Sequence, residues 1–189
     1  MATSVFYPPP LLTAEQFLQM DFGRDVKAEL DNGVIRMMAG GTEAHARIQG
    51  NVFAFLRQRL RGSGCRVYNS DMAVKTHGFA IRYSDVAVYC REGGQPEDDD
   101  LKAFSSPAVI FEMLSAGTAR TDLRVKLEEY KALPSIETIV FVDVVKKRVR
   151  VLQRRETDLW SDLNATHPHD VELPSLGVTI PHAEIFARD

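Results

Sequence analysis

Apolar residues return at helical spacing most clearly in EAHARIQGNVFAFLRQRLR, residues 43–61. Ile48, Val52, Phe55, Leu56 and Leu60 share one face there, and Gly62 follows as a stop. A second helical pattern covers TDLRVKLEEYKAL, residues 121–133, with Leu123, Leu127 and Tyr130 in one arc and Pro134 closing it. It lies between PAVIFEMLS (107–115) and IETIVFVDVV (136–145), two runs that are apolar almost without alternation, as strands covered on both faces are. A helix between two such strands packs back onto the sheet as a right-handed crossover, so these strands are expected to be parallel.

Shorter elements surround this unit. Thr13 is the expected N-cap of TAEQFLQM, with Glu15 and Gln16 in the first turn. AELDNGVIRMM reads as a hairpin about Asp31-Asn32-Gly33. CRVYNSDMAVK (65–75) and FAIRYSDVAVYC (79–90) read as two strands joined by Thr76-His77-Gly78. RVRVLQR (148–154) reads as a half-exposed strand paired through Lys146-Lys147. The segment from Trp160 through ELPSLGVTIPHAEIFA predicts one or two strands and a last helical turn. Residues 1–10 read as a loose tail ending in PPP, and 92–102, EGGQPEDDDLK, as a solvated acidic loop. This order predicts an α/β (α+β) fold: a central mixed β-sheet flanked by helices, with an N-terminal helix and hairpin, in a single domain over residues 11–189.

With 44% hydrophobic and 26% charged residues, the composition is that of an ordinary globular protein. A net charge of -3 and a pI near 6.0 give no global attraction to nucleic acid or anionic membrane, so a polyanion site has to be a local patch. Two groups qualify: KKRVRVLQRR (146–155), with Arg148, Arg150 and Arg154 on one side, and Arg57, Arg59, Arg61 and Arg66. Basic residues equally serve to guard exposed strand edges. Cys65 and Cys90 lack CxxC spacing, which favours a reducing compartment and argues against a disulfide framework or a zinc site. No signal-peptide pattern is present, nor an apolar run of the roughly 18 residues a membrane span needs. The expectation is a cytoplasmic protein without a membrane partner.

Three charged positions break the patterns. Alternation along IRYSDVAVY aligns Asp85 with Ile81, Tyr83, Ala87 and Tyr89, where a bare carboxylate needs a cation, a metal or hydrogen bonds. Glu112 sits inside the strand, in phase with Ala108, Ile110 and Leu114, while Val109, Phe111 and Met113 point the other way. Lys126 lies roughly 60° from the centre of the apolar arc at 100° per residue, where its stem reaches along the sheet. Two carboxylates on separate strands can share a hard divalent cation. A lysine beside them can orient the metal-acidified water and neutralise charge in the transition state. The bland reading makes Asp122 and Lys126 an i, i+4 pair worth a few tenths of a kcal/mol, with both acids capping strand ends. Spacing alone leaves both open. Elsewhere His167-Pro168-His169 reads as a loop, His77 as a turn residue, His182 as unpartnered, and Gly40-Gly41-Thr42 as a helix cap. Ser115 lacks the context of a nucleophile.

The ordered set LLTAEQFLQM, AELDNGVI, HARI (45–48), YSDVAVY, FEMLSAGTARTDLRVKLEEY and LPSLGVTI…EIF, spanning about residues 12–187, resembles the Uma2 (DUF820) endonuclease-like family, a branch of the PD-(D/E)XK nuclease superfamily. The resemblance implies a restriction-endonuclease-like core and an endonuclease acting on DNA. It implies Mg²⁺, or Mn²⁺, held by Asp85, Glu112 and the Met113 backbone carbonyl. The superfamily's lysine two residues after the glutamate is absent, since Leu114 stands there, and Lys126 takes its role. Glu29 corresponds to an acid that joins the catalytic group from the hairpin. His45 matches a recurring histidine without an assigned role. Ser84, Ala116 and Ala28 depart from the family's Pro, Pro and Tyr and remove no charged group. A homodimer is expected, because cutting both strands of a duplex suits a two-fold pair. The alternative is a catalytically silent nuclease-like scaffold that binds nucleic acid or a protein partner.

Overall fold

The computed structural model describes residues 11–23, 26–90, 99–114 and 122–188. The tail 1–10, most of the acidic loop, Ser115, Ala116 and the side chains of Asp122 and Leu123 lie outside the described residues. Helix α1 (Ala14–Gln19) opens on a capping box. The Thr13 hydroxyl accepts from the Gln16 amide at 3.2 Å, and the Gln16 side chain accepts from the Thr13 amide at 2.9 Å. Strands β1 (Ala28–Asp31) and β2 (Val34–Met37) join through Asn32 and Gly33, whose φ values of 48° and 79° suit a type I′ turn. A Cβ at Gly33 would also meet Leu11 at 2.7 Å, so glycine is demanded there twice. Helix α2 (Glu43–Arg59) starts at Thr42, which accepts from the His45 amide as the expected plain cap.

The two expected strands of residues 65–90 are four: β3 (Cys65–Asn69), β4 (Ala73–His77), β5 (Ala80–Arg82) and β6 (Val86–Cys90). Then come β7 (Ala103–Phe104), β8 (Val109–Leu114), a π-helical turn (Asp122–Lys126) running into α3 (Leu127–Ala132), β9 (Thr138–Asp143), β10 (Arg148–Glu156) and β11 (Leu159–Asn164). The end of the chain adds β12 (Val171–Leu173), β13 (Val178–Ile180) and α4 (His182–Ile185).

The strands form a five-stranded sheet, β2-β1-β5-β4-β7, a six-stranded sheet, β11-β10-β9-β8-β6-β3, and the β12-β13 ribbon. β8 and β9 are parallel as expected, with Glu112 opposite Phe141, and β10 returns antiparallel to β9. The alternation read within β8 holds. Val109, Phe111 and Met113 enter the core beneath α2, while Ile110 packs with Leu127, Tyr130 and Leu133 under α3. A third core joins α1 to β1 and β5 through Phe17, Leu30 and Ile81.

The chain leaves one sheet for the other between β5 and β6, so the alternation drawn straight through IRYSDVAVY does not apply to Tyr83, Ser84 and Asp85. Both halves are equally β-like, and nothing in their pattern marks the crossing. Cys65 and Cys90 are register partners on β3 and β6 and are joined by a disulfide. Twenty-five residues of separation hid that pairing, and it removes the cysteine argument for a reducing compartment. Among the described residues no helix is long and apolar enough to cross a membrane.

Two basic candidates have structural employment. Arg154 donates to the carbonyls of Ile136, Lys131 and Leu133 at 2.8–2.9 Å and lies 4.4 Å above the Trp160 ring, closing the C-terminus of α3. Arg150 holds Asp162 with two hydrogen bonds, at 2.9 and 2.5 Å. His182, expected to lack a partner, instead bonds the Lys147 carbonyl at 3.0 Å through its ring and Asp170 through its amide. Replacing Arg154 with Met takes a donor from three part-buried carbonyls, of which, among the described residues, only that of Leu133 keeps another, the Ile136 amide. The expected result is a loss of about 2 kcal/mol in urea unfolding, with secondary structure otherwise retained.

Candidate functional site

Residues from four segments meet where the two large sheets adjoin. The β6–β8 register pairs Val86 with Phe111, so Asp85, one residue before β6, falls opposite Glu112. The contact is direct: the Met113 amide donates to Asp85 Oδ2 at 2.7 Å. Glu112, 4% exposed, accepts a 2.6 Å hydrogen bond from the Tyr130 hydroxyl one helical turn beyond Lys126. Lys126, 7% exposed, brings its ammonium to 3.0 Å from Glu29 Oε1 and 3.6 Å from Glu112 Oε1. Glu29 in turn accepts from the Tyr83 amide at 2.9 Å. The four predicted side chains therefore converge, with the Met113 main chain among them.

Lys126 arrives by a route other than the expected one. Over the described part of the expected helix a regular α-helix does not form from the start; the chain runs through a π turn (Asp122–Lys126) and only then tightens to α. Glu29 faces inward because β1 buries Ala28, Glu29 and Leu30 together, while its neighbour β2 is exposed throughout.

The structure adds residues that sequence patterns left without a role. His45, in the first turn of α2, places Nε2 3.3 Å from Asp85 Oδ2, and Gln49 one turn later donates to the Asp85 carbonyl at 2.8 Å. Their i, i+4 spacing on one helix face was visible, but its target was not. Tyr130 was read as an apolar anchor because its ring is one; its hydroxyl is what reaches Glu112. Arg82 is nearly inaccessible and binds Glu129, Asp31 and Glu29. His167 and His169 lie in a loop, as expected.

Burial and charge set the protonation of the site. Burial pushes the Glu112 carboxyl up to about 8; the Lys126 ammonium and the Tyr130 hydrogen bond oppose this, and the Asp85 and Glu29 charges reinforce it. The hydrogen bond to Asp85 raises His45 above the ordinary imidazole range, against a burial that works the other way, with the Glu112 charge and the Met113 main chain assisting. Burial, followed by the Glu112 charge, raises the Tyr130 hydroxyl well above its usual value.

A six-stranded mixed sheet with helices on both faces, and acids at the meeting point of two strands and a crossover helix, is the restriction-endonuclease-like fold. The crystal structure described as "a putative nuclease belonging to DUF820 from Anabaena variabilis" matches it with a TM-score of 0.71, covering 93% of this chain and 97% of that one at 17% identity. Residues 14–182 match the family described as "Uma2: Putative restriction endonuclease", and the chain belongs to that family. Two uncharacterized proteins of Synechocystis are similar: slr1290 is 26% identical over 95% of this chain and 93% of its own length, and sll1609 is 26% identical over 79% and 85%.

The raised Glu112 value has a consequence for stability. The folded state holds this proton more tightly than the unfolded chain, so the stabilisation is complete below about pH 4.5 and is lost as pH rises through about 8. Raised His45 adds a loss of the same sign. In chelator, unfolding free energy is expected to fall between about pH 5 and 9. Glu112→Gln flattens most of that slope, measured by urea titration across the range, whereas an unchanged slope contradicts the assignment.

Proposed function

We propose that this protein is a Mg²⁺-dependent endonuclease that hydrolyses phosphodiester bonds of DNA. The carrying observation is the convergence of Asp85, Glu112 and a buried lysine ammonium at the junction of two sheets. The donor set suits a hard cation. Asp85 and Glu112 each make their described hydrogen bonds through one oxygen, leaving the second for an ion, and the Met113 main chain lies alongside. Among the described residues no three His, Cys, Asp or Glu side chains cluster to hold an ion alone. Main-chain carbonyl and water ligands therefore complete the shell in this reading. A raised Glu112 carboxyl also fits, since a cation replaces the proton that otherwise relieves the repulsion between the acids.

When bound, the ion supplies Lewis-acid polarisation of the phosphate and acidifies water. The protein's own groups do the rest. Lys126, tethered by Glu29, orients the attacking water and meets the charge gathering on the phosphate. Tyr130 holds Glu112, the Met113 amide and His45 hold one oxygen of Asp85, and Gln49 holds the Asp85 main-chain carbonyl. In hydrolysis the water oxygen bonds to phosphorus, the bond to one ester oxygen breaks, and that oxygen leaves with a proton. DNA is the substrate in this reading and a homodimer the acting form.

One observation favours a second reading, a catalytically silent scaffold. Lys126, Tyr130, His45 and the Met113 amide already engage one oxygen of each acid without an ion. Plasmid nicking over a metal series separates the two. Wild-type protein is expected to nick with Mg²⁺ or Mn²⁺ and not in chelator, with Asp85→Ala and Lys126→Ala each reduced about 100-fold or more. Equal rates in clean preparations of both variants remove the site assignment. Absent nicking, together with no Mg²⁺ or Mn²⁺ heat in calorimetry, favours the scaffold.

A further inference from the structure

Arg82 ends β5 with a side chain only 4% exposed, and its guanidinium touches three carboxylates from two other elements. Its Nε and Nη2 grip Glu129 as a fork, at 2.8 and 2.5 Å. Nη2 also reaches Asp31 Oδ1 at 2.8 Å, and Nη1 lies 3.5 Å from Glu29 Oε2. Glu129 is further fixed by the Thr76 hydroxyl at 2.9 Å, and His77 Nε2 stands 4.0 Å from it. Glu129 follows Lys126 by three residues, so both project from the same side of the helix start. Glu29 is shared: one oxygen faces Arg82 and the other faces Lys126.

We infer that Arg82 is the positioning residue for Lys126, acting through Glu129 on the lysine's own helix and through Glu29 on the lysine's tether. This deepens the nuclease reading and rests on it for its catalytic consequence. The physical reason is competition for cations. Glu29, Asp31, Glu112 and Glu129 crowd this junction, and Arg82 and Lys126 are the buried cations among them. With Arg82 in place, Glu129 and the second Glu29 oxygen are occupied, and the ammonium stays between Glu29 and Glu112. Without it, Glu129 keeps only the Thr76 hydroxyl and the His77 ring 4.0 Å away, and Lys126 is, among the described residues, the one buried cation left to Glu29. The ammonium then turns from Glu112 toward Glu29 and the hairpin, and the helix start loses its latch to β5, with the Thr76 hydroxyl of β4 remaining on Glu129.

The test compares wild type with Arg82→Met, using lysine-specific reductive methylation resolved residue by residue by mass spectrometry. In folded Arg82→Met, labelling of Lys126 is expected to rise about tenfold or more, while Lys27, Lys131 and Lys146 keep wild-type rates. Wild-type protection of Lys126, or an equal rise at every lysine, overturns the inference. If Arg82→Met does not fold, Glu129→Gln removes the same latch with a milder charge change, and the same two outcomes decide. Where wild type nicks DNA, kcat in Arg82→Met is expected to drop about 100-fold with KM within a few-fold, and an unchanged kcat also overturns it. A wild type that does not nick removes the nuclease reading and leaves the labelling to decide the role of Arg82.

Discussion

Carboxylates brought together in a poorly solvated place must find cations, and that constraint organises the junction between the two large sheets. Glu29, Asp31, Glu112 and Glu129 come from β1, β8 and α3, and Lys126 and Arg82 reach in among them. Neither cation serves one acid alone. Each bridges side chains from different elements, so the charge network runs along the junction of the hairpin sheet and the six-stranded sheet. Isolated buried ion pairs add little to stability because desolvation cancels attraction. A shift of any of these elements leaves a charge without its partner.

The network works because register places the acids within reach. β6 enters the sheet beside β8 in a pairing that sets Asp85 against Glu112 and lets the Met113 amide bind it. Glu112 points to the α3 side with Ile110, beneath Tyr130. On the other face the first turns of α2 supply His45 and Gln49 to Asp85. Removal from water, with repulsion from neighbouring carboxylates adding to it, raises the Glu112 carboxyl, an electrostatic signature common to catalytic and metal-binding groups.

Much of this was legible from patterns with a local cause. Helix α2, the parallel β8–α3–β9 unit, the Asn32-Gly33 turn and the Thr13 cap follow from periodicity, apolar runs and turn chemistry, and all are present. Glu112 and Lys126 stood out because a charge in a buried pattern is costly. The readings that failed share another cause. The break of 79–90 into strands of two sheets, the Cys65–Cys90 pairing and the use of Arg154 as a helix cap all depend on which segments lie side by side. The π turn before Lys126 is a further case, since helical periodicity there assumed the wrong residues per turn.

The sequence by itself determined helix α2, the parallel β8–α3–β9 unit, the caps and turns, and three charged side chains that could not rest unpaired. Propensity, capping and hydrophobic period act over a few residues, so they can be read along the chain. Only the tertiary structure decided that Glu29 would tether Lys126, that Tyr130 and His45 would steady the two acids, and that Arg82 would bridge hairpin and helix. Those choices are electrostatic and act across space between residues up to 97 positions apart. Their distances exist only once the strands are in register.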